Sequence, residues 1–239
     1  PLRQEVQLIE AYRAGQADLH ALGITALTEP GLGPGHVSLL DGSGSEAGLE
    51  VLGDFAESGD LTMRVSVLVL PVGTGGCNAK DVRRHLDAGL ANVYDDREID
   101  PRRLKIVGVK VFADGTPQNG TTWHKEPVHA DNAPGHRCGH MVIAGDSDVD
   151  KVAELEEIIR YVDGAGLQIG VHSIGDQTVE TVIDKIAEIA PNSPARHYLI
   201  HTTELYPEGM KTLVENGIGA CFNPVIISTF ATTLPEDRV

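Results

Sequence analysis

Three residues near the ends of apolar runs can hold a metal: Lys110, His172 and His201. Neutral imidazole is a good ligand for Zn, Fe, Ni or Mn. An ammonium cannot ligate. A lysine amine that takes up carbon dioxide becomes a carbamate, however, and its oxygens can bridge two metals. Lys110 lies inside Val107-Gly108-Val109-Lys110-Val111-Phe112-Ala113-Asp114-Gly115, a short apolar run that stops at Asp-Gly. Burying an unpaired ammonium there is costly. Such a lysine either belongs to an edge strand and snorkels its head to water, or is held at a strand end for chemistry. His172 alone reads equally well as a hydrogen-bonded core histidine. The same pattern on consecutive strands is what favours a site.

Other polar groups have simpler explanations. Asp114 and Asp176 each follow a strand, where a turn residue and a helix cap are expected; the sharper alternative is that they orient metal ligands from behind. His136-x-Cys138-x-His140 is more tightly spaced than usual structural zinc motifs and reads as a solvated loop. Glu154, Glu156 and Glu157 read as the solvated face of a helix. The sequence contains no Gly-x-Ser-x-Gly elbow, no Gly-x-Gly-x-x-Gly after an early strand and no Gly-Lys-Ser/Thr loop. Serine hydrolysis and nucleotide binding therefore lack support.

The elements that position these residues alternate. Helical spacing of apolar residues runs over 4–22, 45–58, 78–90, 148–162, 176–189 and 207–216. Short apolar strands fall at 24–27, 61–70, 104–112, 167–172, 197–201 and 218–222. No hairpin signal appears between strands. Alternation of this kind means a parallel sheet with crossover helices, closed into a barrel or doubly wound. In a barrel the C-terminal ends of the strands converge on one mouth, so Lys110, His172 and His201 are expected to share a cavity. The segment 113–147 has no periodicity of its own and is expected to be a mobile lid over that mouth. Residues 229–239 carry no clear pattern.

The composition sets limits. The chain has 239 residues, 41% of them hydrophobic, and a formal net charge of −16. One barrel domain over 1–239 is expected. The acidic balance argues against nucleic acid and anionic membranes as partners. No apolar run approaches the roughly 20 residues of a membrane span. Cys77, Cys138 and Cys221 form no Cys-x-x-Cys pair, and a reducing, cytoplasmic setting is expected.

Val109-Lys110-Val111-Phe112-Ala113-Asp114-Gly115-Thr116, Val171-His172-Ser173-Ile174-Gly175-Asp176 and His201 together resemble the amidohydrolase superfamily. The branch they look most like is that of N-substituted formamide deformylase and related metal-dependent hydrolases. Gly23-Ile24-Thr25 resembles that branch's early strand. The resemblance covers nearly the whole chain. It implies an α/β fold of the parallel (β/α)8 TIM-barrel type, here incomplete and spanning about strands two to seven. It also implies a divalent metal, zinc foremost with Fe, Mn or Ni as alternatives, held by Lys110 (as carbamate), His172 and His201. The implied reaction is hydrolysis of a C–N bond in an amide, formamide or cyclic amide, with a small-molecule substrate. The alternative is a non-catalytic or regulatory relative that keeps the fold. The family's His-x-His of the first strand and the aspartate base of the eighth have no counterpart here. Its Glu-His pair reads Ile200-His201, and its Gln-Pro reads Asn223-Pro224. The chain by itself is therefore expected to be a poor hydrolase with its general base outside it. Two open sheet edges point to a homo-oligomer.

Overall fold

The computed structural model describes residues 2–35, 44–130 and 133–225. Helix and strand alternate as α1 (Leu2–Ala21), β1 (Ala26–Leu32), α2 (Glu46–Glu57), β2 (Arg64–Val69), α3 (Ala79–Asp87) and β3 (Leu104–Phe112). A short hairpin, β4 (Val128–Ala130) and β5 (Ala133–Arg137), precedes α4 (Asp148–Gly164). β6 (Gln168–Ser173), α5 (Asp176–Ile189), β7 (Tyr198–His201), α6 (Pro207–Glu215) and β8 (Gly219–Phe222) complete the series. The sheet order is β1-β2-β3-β6-β7-β8, every neighbouring pair is parallel, and the strands curl into a half-barrel flanked by helices. The expectation of an incomplete (β/α) barrel is met.

The two faces of the sheet follow from strand alternation. Val67, Val69, Val109, Val111, Val171 and Leu199 point one way, into the main core. There they meet Leu155, Ile158 and Ile159 of α4 and Val179, Val182 and Ile183 of α5, all fully buried. Each such side chain stabilises the fold by about 1.5–3 kcal/mol. Lys110, Phe112 and His172 share the opposite, concave parity. So does Gly170, where an added Cβ would meet Leu68, Tyr198 and Ile200. At Gly108 any Cβ would fall 1.9 Å from the Gln168 carbonyl oxygen, so glycine lets β3 and β6 approach.

Several boundaries and roles differ from the sequence expectation. β1 runs past Pro30 to Leu32, with a register shift against β2 between Glu29 and Leu32. A proline has no N–H for a ladder and is tolerated at such an irregularity. The β4–β5 hairpin is antiparallel and was not expected, because strands of three and five residues carry no readable alternation. Asp176 is not the helix cap: Gly175 holds that position and Asp176 opens the first turn of α5. The glutamates of α4 are not simply solvated. Glu154 Oε1 accepts from the Ala79 amide at the start of α3, Glu156 pairs with Lys185 at 2.7 Å, and Glu157 with Arg83 at 3.0 Å. They tie α4 to α3 and α5. The side chain of His136 and residues 229–239 lie outside the described residues.

The described parts of the segment 113–147 are anchored at several points. Thr122, His124, Met141 and Ile143 are buried. Val142 N donates to Ala113 O, and His124 N to Cys138 O at 2.7 Å. No helix of the described residues is long and apolar enough to cross a membrane.

Candidate metal centre

β3, β6 and β7 end side by side, and their last residues converge. Lys110 is 3% exposed and its Nζ lies 4.6 Å from the centroid of the Phe112 ring. Phe112 stands 5.0 Å from the His172 ring, and His172 4.7 Å from the His201 ring. The structure thus brings the three sequence-derived residues together. Burial holds Lys110 down to about 7, against the opposing pull of Asp114 and Cys221. Near neutral pH a large share of it is the free amine, the form that reacts with carbon dioxide.

Both histidines have one nitrogen tied and one available. His172 Nε2 lies 2.9 Å from the Gly115 carbonyl oxygen, which only accepts, so Nε2 carries the hydrogen. Its Nδ1 is buried without a hydrogen-bond partner. His201 Nδ1 lies 2.8 Å from Asn223 Oδ1, which assigns the hydrogen to Nδ1 and leaves the Nε2 lone pair. Burial, then Lys110 and His201, push His172 down to about 3; burial and Lys110 also lower His201. Both rings are neutral at pH 7, the form that binds metal.

Asp114 explains how the strand ends are held. It is fully buried and accepts from the amides of Gly175 (2.9 Å), Ile174 (3.2 Å) and Trp123 (3.3 Å) and from Thr178 Oγ1 (2.9 Å). Burial raises it to about 6 against these four donors, so it is ionised at neutral pH. Its Oδ1 also stands 3.5 Å from His172 Nε2. Asp114 is therefore more than a turn residue: it clamps the end of β3 to the β6–α5 turn beside His172.

A second group went unread in the sequence. His124, Asp176 and Glu204 bring one ligand atom each to within 4.8 Å of one another. His124 Nδ1 is 3.3 Å from Glu204 Oε1 and 3.5 Å from Asp176 Oδ1, yet makes no hydrogen bond. Its Nε2 lies 2.6 Å from Thr122 Oγ1. Burial lowers the His124 pKa, but the two carboxylates outweigh it and lift it to about 9. The only sequence signal was a histidine-rich loop, which does not say which histidine meets which carboxylate. A cavity of about 810 Å³ lies elsewhere: it opens over the N-terminal ends of the strands at Ser66, Lys105, Gln168 and Tyr198.

A family model described as the amidohydrolase family matches residues 1–236. Two solved structures share the fold. One, an uncharacterized metal-dependent hydrolase from Pyrococcus furiosus, has a TM-score of 0.64 at 21% identity over 95% of this chain and 40% of its own. Another, of the same description from Pyrococcus horikoshii OT3, has a TM-score of 0.65 at 20% identity over 96% and 41%. The chain thus spans about two-fifths of their length. No curated protein matches it.

Proposed function

We propose, since the chain belongs to the amidohydrolase family, that it carries part of a metal-dependent hydrolase site acting on a C–N bond of an amide, formamide or cyclic amide. The observation that carries this is the facing pair His172 and His201, each neutral with one uncommitted nitrogen, beside a buried lysine at the strand C-termini. The donor set fits a divalent metal: an orphaned buried Nδ1 on His172, a lone pair on His201, and a lysine able to become a carbamate. Zinc suits this set best, with Fe, Mn and Ni next.

When bound, the metal supplies a lowered pKa for a coordinated water and polarises a substrate carbonyl. His172 and His201 hold it through neutral imidazoles whose far nitrogens are fixed by Gly115 O and Asn223 Oδ1. Lys110 contributes carbamate oxygens. Asp114 keeps the β3 and β6 ends in register, and burial beside Phe112 keeps water from the lysine. No residue of this chain is assigned as general base.

The test is metal content. The purified chain, equilibrated with Zn²⁺ and bicarbonate, is expected to lose one bound metal when His172→Ala and His201→Ala are introduced together. Hydrolysis of simple formamides, amides and cyclic amides by wild type is expected to be slow and to vanish in the same variant. Unchanged metal content in a variant with native circular dichroism would overturn the proposal.

A further inference from the structure

We propose that His124, Asp176 and Glu204 form a second, separate divalent-cation site, whose ion fastens the three loops that roof the strand ends. It does not depend on the proposed hydrolase activity. Each residue follows a different parallel strand: His124 lies in the loop after β3, Asp176 in the first turn of α5 after β6, and Glu204 in the loop after β7. These are the same three strands that carry Lys110, His172 and His201 near their C-terminal ends, so the two groups share supports.

The geometry favours an ion over a plain hydrogen-bonded contact. Nδ1 of His124 is aimed between two carboxylate oxygens and hydrogen-bonds to neither. A tetrahedral ion with bonds of about 2.0–2.1 Å sets its ligand atoms about 3.3 Å apart. The observed separations from Nδ1 are 3.3 and 3.5 Å. The back of the ring is held as in a ligating histidine: Nε2 and the Thr122 hydroxyl lie 2.6 Å apart, which fixes the ring with Nδ1 turned towards the two carboxylates, where loss of its proton frees a lone pair for the ion.

Burial and charge point the same way. The side chains of His124, Glu204 and Asp176 are 0%, 4% and 18% exposed. A proton on His124 leaves the group of three at net −1. A divalent cation on neutral His124 brings it to zero, which a buried site favours. One nitrogen and two carboxylate oxygens suit Zn²⁺ or Mn²⁺, with water completing the shell on the Asp176 side. Binding displaces the His124 proton to solvent, so each ion taken up releases one proton where His124 was charged.

The two sites are separated by variants. The full chain carrying His172→Ala and His201→Ala is dialysed against micromolar Zn²⁺, with circular dichroism to check the fold. One Zn²⁺ per chain is expected to remain, and adding Glu204→Gln is expected to weaken it at least tenfold. If the double variant does not fold, wild type is compared with Glu204→Gln alone, and a loss of one Zn²⁺ per chain is expected. Zn²⁺ content that is the same with and without Glu204→Gln, or that is zero in the folded double variant, overturns the proposal. Wild type and double variant binding equal amounts would instead overturn the hydrolase proposal and leave this one standing.

Discussion

The rings of His172 and His201 stand 4.7 Å apart and nearly perpendicular, at 79°, although strand register pairs His172 with Ile200. In a regular strand His201 would point to the opposite face from Ile200, into the helices. Its φ of +78°, followed by +44° at Thr202, breaks the alternation. Left-handed backbone at two consecutive non-glycine residues is strained, and such strain collects at functional sites. Here it turns the His201 ring to the concave side, where His172 and Lys110 already are.

Asn223 holds His201 by its Nδ1 hydrogen. Asn223→Ala is expected to lower metal affinity about 10–100-fold, the usual effect of losing the group behind a ligating histidine. Competition with a chelator reads this directly, and an unchanged affinity would show that the contact does not orient the ring.

Lys110 is expected to take up carbon dioxide in a pH-dependent way. Only the free amine reacts, and its fraction grows as pH rises through about 7. With ¹³C-bicarbonate and Zn²⁺, a carbamate resonance should be stronger at pH 8 than at pH 6 and absent in Lys110→Arg. Equal signals at both pH values would refute the role.

His197 has a structural part. Its ring is 1% exposed, accepts from the Ile169 amide at 3.1 Å and meets Asp163 Oδ1 at 3.0 Å. Burial, opposed by Asp163, lowers its folded pKa below the usual 6.5. A lowered folded pKa means the unfolded chain binds the proton first, so this contribution is present above about pH 6.5 and is lost as pH falls from there towards the folded value. Wild type should lose more urea resistance than His197→Gln between pH 7.5 and pH 5.5. A parallel loss in both proteins would exclude His197 as the cause.

Gly175 has an ordinary φ of −65°, so its requirement is steric. A Cβ there would lie 2.2 Å from the Trp123 carbonyl oxygen, and backbone cannot yield as a side chain can. Gly175→Ala is expected to cost about 1–3 kcal/mol, as overpacking does. A lower urea midpoint at unchanged slope is the readout; a midpoint equal to wild type would show that the 113–147 segment can shift freely.

β1 and β8 are the edges of the six-stranded sheet among the described residues, and Phe222 at the end of β8 and Val225 after it are 55% and 70% exposed. Unpaired strand edges next to apolar surface invite association. Light scattering is expected to give a mass above that of one chain. A monomer at high micromolar concentration would count against the proposed homo-oligomer.

Periodicity alone determined the six main helices and the six strands of the parallel sheet, though not the β4–β5 hairpin, because one-sided burial leaves its mark on every second or every third and fourth residue. The run Leu104–Phe112 was legible residue for residue, and Lys110, His172 and His201 were legible as polar residues closing apolar strands. Other features have no such mark. The turn of His201 to the concave face depends on two backbone angles. The four donors around Asp114 come from Trp123, Ile174, Gly175 and Thr178 on two distant segments. His124, Asp176 and Glu204 meet because three parallel strands deliver their loops to one end of the sheet, and nothing in their spacing records it. Local sequence encodes which face of an element is buried, whereas contacts between loops exist only once the sheet has curled.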